Sequence, residues 1–145
     1  MRTVIVAAGI LIEGGKVLLS RRKTGTHLAG LWEFPGGKAE AGEDPRAALS
    51  RELEEELGIT TRIGEILDVT FHRYEEADKA VLLLFFEAHR EASSPEPRAI
   101  DVAEVEWRGV EGLDPSTFPP ADIAVLAKVR ERLLSLASSD RPSNR

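Results

Sequence analysis

Apolar residues in the first third of the chain fall into short runs, each closed by glycine or proline. Val4 to Ile12 is apolar and rich in β-branched side chains, and Gly14-Gly15 parts it from Val17 to Leu19 in the pattern of a hairpin. Arg21 to Gly30 is polar and reads as a loop leading into Leu31-Trp32-Glu33-Phe34, after which Pro35-Gly36-Gly37 is expected to stop any regular element. The period then changes. Leu49, Leu53 and Leu57 recur at every fourth position, Asp44 suits an N-cap, Pro45 the first helical position and Gly58 a left-handed C-terminal position. A helix is thus bracketed at both ends.

Thr60 to Thr70 and Ala80 to Ala88 predict two strands joined by the charged turn Glu75 to Lys79, and Val102 to Trp107 predicts another after a surface loop at Glu91 to Pro97. Phe118-Pro119-Pro120 breaks the chain before Asp122, which can cap a helix running to about Leu136 on Ile123, Leu126, Val129 and Leu133. Ser138 to Arg145 is expected to be a disordered tail. These elements predict a single α/β domain over residues 1–137, built on a mixed sheet.

Composition narrows the functional classes. The chain has 145 residues, 42% hydrophobic and 30% charged, as in an ordinary globular domain. A net charge of -6 argues against stable nucleic-acid binding through a general basic surface. No apolar run approaches the roughly 20 residues of a membrane span, and the N-terminus lacks a secretory pattern, so a cytoplasmic protein is expected. With no cysteine, any chemistry must use oxygen and nitrogen groups.

On the first helix Glu52, Glu54, Glu55 and Glu56 crowd together, and the helical period puts Glu52, Glu55 and Glu56 on one face beside the leucine stripe. A like-charge pair such as Glu52 with Glu56 costs about 0.2–0.5 kcal/mol in an isolated helix, here with no basic residue expected on the same face. Glu43 adds a carboxylate able to fold back toward them. Hard oxygen donors of this kind suit Mg²⁺ or Mn²⁺. A solvated acidic face is the ordinary reading of such a run, and spacing alone does not displace it.

The surrounding frame does. Residues 37–59, GKAEAGEDPRAALSRELEEELGI, resemble the Nudix signature G-x5-E-x7-R-E-U-x-E-E-x-G-U, where U is a bulky aliphatic residue. Every defined position matches: Gly37, Glu43, Arg51, Glu52, Leu53, Glu55, Glu56, Gly58 and Ile59. The resemblance implies a Nudix fold, a mixed curved β-sheet sandwiched between helices, with the signature forming a loop-helix-loop. It implies that Glu52, Glu55 and Glu56 bind metal together with the Gly36 carbonyl, that Glu43 is a more peripheral ligand, and that Arg51 orients loop and carboxylates. A further base or metal ligand usually lies outside the signature; aligned on Trp107, Asp101 takes that place, with Glu104 as a neighbour able to substitute.

LWEFPGGK at Leu31 to Lys38 and FPPAD at Phe118 to Asp122 resemble MutT-type nucleoside triphosphate pyrophosphohydrolases. That implies release of a monophosphate and pyrophosphate, with oxidised nucleotides such as 8-oxo-dGTP as typical substrates. Arg22, Lys38 and Lys79 would lie near the nucleotide. Guanine-reading relatives often have Asn where this chain has Asp122; an ionised Asp only accepts hydrogen bonds, which favours a donor-bearing edge such as the cytosine amino group. A CTP or dCTP pyrophosphohydrolase is therefore a second reading. Other nucleoside diphosphate derivatives and a non-catalytic nucleotide-binding module are further alternatives, the complete carboxylate set arguing against the last. Trp32, Phe34 and Phe118 are placed either to sandwich a base or to fill the core, core being favoured for Phe34. His27, His72 and His89 have no metal spacing and read as surface residues. The expected partner is a small nucleotide, with no membrane, for a monomer or homodimer.

Overall fold

In the computed structural model, which describes residues 1–139, the opening apolar run divides into β1 (Arg2–Ile10) and β2 (Ile12–Glu13). Gly14 and Gly15, at φ 57° and 75°, supply the two left-handed positions of the turn into β3 (Lys16–Arg21). After the polar loop come β4 (Trp32–Glu33) and β5 (Gly36–Lys38). The proline-glycine segment was expected to end regular structure, yet Gly36, Gly37 and Lys38 pair antiparallel with Ala8, Ala7 and Val6. The reason is close approach: a Cβ at Gly36 would sit 2.0 Å from the Ala7 carbonyl oxygen, so glycine lets the backbones meet.

The first helix, α1 (Pro45–Leu57), keeps its expected caps: the Asp44 carboxylate accepts the Arg46 amide and Gly58 closes the helix at φ 70°. Strands β6 (Thr61–Tyr74) and β7 (Lys79–Arg90) run longer than expected because a short 3-10 turn at Glu75–Ala77 makes the connection. β8 (Glu104–Arg108) follows. The last helix, α2 (Ile123–Ser139), extends past Leu136 and takes in the first two residues of the expected tail; 140–145 lie outside the described residues. Asp122 sits in the 3-10 turn Pro120–Asp122 just before α2, with its side chain buried rather than at the surface.

Two sheets form. One has the order β5-β1-β7-β6, with β1 and β7 parallel; the other joins β2, β3 and β4, with β8 paired to β3. Strand alternation sorts side chains to two cores. Ala7, Leu18, Phe86 and Ala88 meet Leu49, Leu53 and Leu57 of α1. Ala8, Val17, Leu19, Leu83 and Phe85 meet Val125, Leu126, Val129 and Leu133 of α2. The helices thus cover opposite faces, which explains why β1 and β7 are apolar nearly throughout instead of alternating. No helix among the described residues is long and apolar enough to cross a membrane.

Candidate active site

α1 is anchored by its leucines, which leaves the next face of the helix toward β5 and solvent. Gly37 of β5 is packed so closely on Glu52 that a Cβ there would fall 2.4 Å from the carboxyl carbon. Only glycine lets this carboxylate rest against the strand. Glu52 and Glu56 are close enough to act on each other's charge, and Arg51 binds the surrounding acids. Its Nε and Nη2 each donate to Glu43 at 2.9 Å, Nη1 donates to Glu52 at 3.0 Å and Glu55 at 3.2 Å, and Nη2 also reaches the Lys38 carbonyl at 3.2 Å. The helix face was expected to lack a compensating base; Arg51 supplies one, because its long side chain curls back across the first turn.

Charge is therefore unevenly relieved. Hydrogen bonds from Arg51, then from the Glu40 amide, hold the Glu43 carboxyl down at about 2. Burial, followed by the charges of Glu52, Glu33 and Asp101, pushes Glu56 up to about 8. Glu52 is also raised by burial, although Arg51 opposes the shift. The side chain of Glu52 is 15% exposed and that of Glu55 57%, so Glu55 stands at the rim, held by Arg51. Among the described residues no three His, Asp or Glu side chains converge in metal-holding geometry. The expected trio is thus placed as the pair Glu52–Glu56 with Glu55 drawn aside to the nearest cation.

Beyond Gly36 and Gly37 lies a cavity of ≈ 130 Å³. Val6 and Ala8 of β1 and Val81 and Leu83 of β7 form its floor, while Arg22, Lys38 and Lys79 supply positive charge. Burial and then repulsion from Lys38, Arg22 and Arg2 lower the Lys79 ammonium, as expected for clustered cations. Asp122 is 4% exposed; burial, then Glu33, raises its carboxyl well above the ordinary range, against Arg22 and the Phe34 amide, which it faces. Glu33 is raised by burial and opposed by Arg22, whose Nη1 lies 3.1 Å away. Phe34 lines this cavity from within the core, edge-on to Phe85 at 6.0 Å. Phe118 packs behind it, and Trp32 lies under Arg108 at 4.3 Å, so of the three aromatics only Phe34 borders the cavity.

Three lining residues escaped the sequence reading. Glu33 lies in β4 between the aromatics Trp32 and Phe34, and no spacing marks it. His27 was expected at the surface, but its ring meets Tyr74 edge-on at 4.9 Å and its Nε2 lies 3.3 Å from Glu76. His72 also packs on Tyr74, at 4.6 Å, while His89 is exposed. Tyr74, at the end of β6, lies beyond the expected strand Thr60 to Thr70 and carries no motif.

A family model described as the NUDIX domain matches residues 2–129. The chain belongs to the Nudix family. It is 36% identical over 131 residues to the 8-oxo-dGTP diphosphatase of Escherichia coli (strain K12), covering 90% of this chain and 98% of that one. It is 45% identical over 83 residues to the CTP pyrophosphohydrolase of the same organism, covering 57% and 60%. The crystal structure of the MutT NUDIX hydrolase from Burkholderia pseudomallei superposes with a TM-score of 0.77 at 27% identity, covering 89% of this chain and 99% of that one. The protein is thus a Nudix pyrophosphohydrolase, and the mixed sheet between two helices is the Nudix fold.

Outside the Nudix signature, the segment after the surface loop docks on the end of α1: the amides of Ile100 and Asp101 both donate to the Glu56 carbonyl, at 3.0 and 3.1 Å. The Asp101 carboxylate pairs with Lys23 at 2.5 Å and contributes to the field on Glu56. Glu104 is instead held by Arg21 at 2.7 Å. Nudix hydrolases generally use divalent metal ions, and the donor set here fits one. Its groups are hard oxygens, and the elevated Glu56 marks negative charge that only a proton or a cation relieves.

Proposed function

We propose that this Nudix enzyme hydrolyses a nucleoside triphosphate to the monophosphate and pyrophosphate, with an oxidised purine nucleotide such as 8-oxo-dGTP as substrate and Mg²⁺, or Mn²⁺, as the ion. The observation that carries this reading is one cavity joining the buried Asp122 to the Arg22, Lys38 and Lys79 cluster and opening beside the carboxylate helix. Asp122 and the three cations line it, and Gly36 and Gly37, the latter packed on Glu52, border it on the side of the carboxylate helix. The relatives named 8-oxo-dGTP diphosphatase support the same substrate class.

In this mechanism Glu52 and Glu56 would hold the ion with the Gly36 carbonyl, Glu55 would join them on leaving Arg51, and Glu43 would serve at the periphery. When bound, a divalent ion neutralises phosphoanhydride oxygens and assists water attack. Arg51 keeps Glu43 and Glu52 in place through its fork of donors. Lys38, Lys79 and Arg22 offset the charge of the triphosphate, which an acidic site alone would repel by about 4 kcal/mol per close charge pair. Asp101, whose charge acts on Glu56, would be the supplementary carboxylate once released from Lys23.

Asp122 was expected to act as an ionised acceptor. Its burial favours the protonated carboxyl, which donates as well as accepts and so resembles Asn more than the sequence suggested. The oxidised purine is accordingly the first reading. A cytidine nucleotide is the second, favoured by the relative named CTP pyrophosphohydrolase. A product-resolved panel with Mg²⁺ and normal and oxidised triphosphates separates them: 8-oxo-dGTP should give the highest kcat/KM, with pyrophosphate released. A higher value for dCTP or CTP selects the second reading, and orthophosphate as sole product overturns the cleavage position.

A further inference from the structure

β6 closes one edge of its sheet, its outer side is unpaired, and register shifts between Ile63 and Asp68 turn Glu65, Ile66 and Leu67 all outward. Of the nine large apolar side chains exposed among the described residues, six gather on or beside this face: Met1, Ile5, Ile66, Leu67, Val69 and Phe71. Strand register makes them contiguous. Phe71 pairs with Leu82 and Leu82 with Ile5, while Val69 pairs with Leu84 and Leu84 with Ala7. α1 packs on Ala7 and Phe86 but leaves the other end of the face open, with Val69 51% and Phe71 53% exposed. A patch this continuous is uncommon on a surface that meets only water.

Charges at its rim indicate the occupant. Along β6 the exposed residues run Glu65, Ile66, Leu67, Val69, Phe71 and Arg73, acidic at one end, basic at the other and apolar between. Among the described residues neither Glu65 nor Arg73 has an ion-pair partner; the Arg73 guanidinium stands 5.9 Å over the Phe71 ring. A two-fold axis passing Val69 would set Phe71 of each copy against the irregular Ile66–Leu67 segment of the other and bring each Glu65 toward an Arg73. That self-complementarity is what an isologous interface requires. We propose that this β6 face is the docking surface for a second copy of the chain, forming a two-fold homodimer centred on Val69.

The nucleotide cavity lies on the opposite face of the same strands, floored by Val6, Val81 and Leu83, so dimerisation leaves it open. Analytical ultracentrifugation of the full chain over a range of concentrations should show a monomer–dimer equilibrium. Phe71→Glu should yield a folded monomer with unchanged turnover, whose melting temperature no longer rises with protein concentration. Glu65→Arg and Arg73→Glu should each weaken association about tenfold or more, and the double exchange should restore it. A wild-type chain that stays monomeric throughout, or a dimer indifferent to Phe71→Glu, overturns the proposal. So does a double exchange that associates no better than the single ones, which displaces the axis from Val69.

Discussion

Glu52 and Glu56 are held one turn apart on a single helix, whereas Glu33 and Asp122 meet from β4 and from the turn before α2. Both pairs contain carboxyls raised by burial, but their counterions differ. Arg51 binds Glu52 together with Glu43 and Glu55 and leaves Glu56 without a cation of its own, while Arg22 serves Glu33 and faces Asp122. The helix pair is suited to exchange a proton for a metal ion. The pocket pair is suited to keep a proton and use it in a hydrogen bond. Burial alone does not separate these roles; the neighbouring cation and the access to it do.

Removing the helix side of this contrast should have the largest effect. Glu56→Gln keeps shape and takes away the ionisable oxygen, and kcat should fall by about 10³-fold. Steady-state kinetics at saturating Mg²⁺ test this, and unaltered turnover would take α1 out of the mechanism. Next comes Arg51→Ala, expected to lower kcat/KM by about 10- to 100-fold as Glu43 and Glu52 lose their orientation. Arg51→Lys should recover little, since one ammonium cannot replace the fork that reaches three carboxylates.

On the pocket side, Asp122→Ala should raise KM about tenfold with a smaller change in kcat, the loss of one buried hydrogen bond. Asp122→Asn should retain the purine preference, and a switch toward cytidine nucleotides in that variant would refute the protonated reading. The smallest effect expected is on stability. Glu56 titrates near 8 when folded against 4.5 when exposed, so between those values the folded state holds a proton that the unfolded state has released. Its contribution is fully present below about 4.5 and is lost as pH rises through about 8. Metal-free protein should therefore melt a few degrees lower at pH 9 than at pH 6. Mg²⁺ or Glu56→Gln should flatten that slope, and an equally steep slope in the variant would assign it to another group.

The carboxylate helix was readable because its information is local. Asp44, Pro45 and Gly58 fix its ends, three leucines fix its buried side, and the helical period then places Glu52 and Glu56 without reference to any other segment. Arg51 was expected to orient the carboxylates by ion pairing, but which of them it reaches was not, since a side chain's path around a helix depends on what it meets. Arg22, Lys38, Lys79 and Asp122 were named from resemblance and Phe34 as an aromatic favoured for the core, and the fold brings all five around one cavity. Glu33, His27 and Tyr74 were not named, because no spacing connects β4, the loop before it and the end of β6.

The sequence by itself determined the elements, their caps and the acidic face of α1, all of which follow from backbone conformation and periodicity within a few turns. Tertiary structure decided which carboxyls are buried and so raised, that the charge of Asp101 acts on Glu56 while Glu104 pairs with Arg21, and how Gly36 becomes part of a strand instead of ending one. Those outcomes depend on desolvation and on charges carried by distant segments, and both exist only once β1, β5 and α1 have closed on one another.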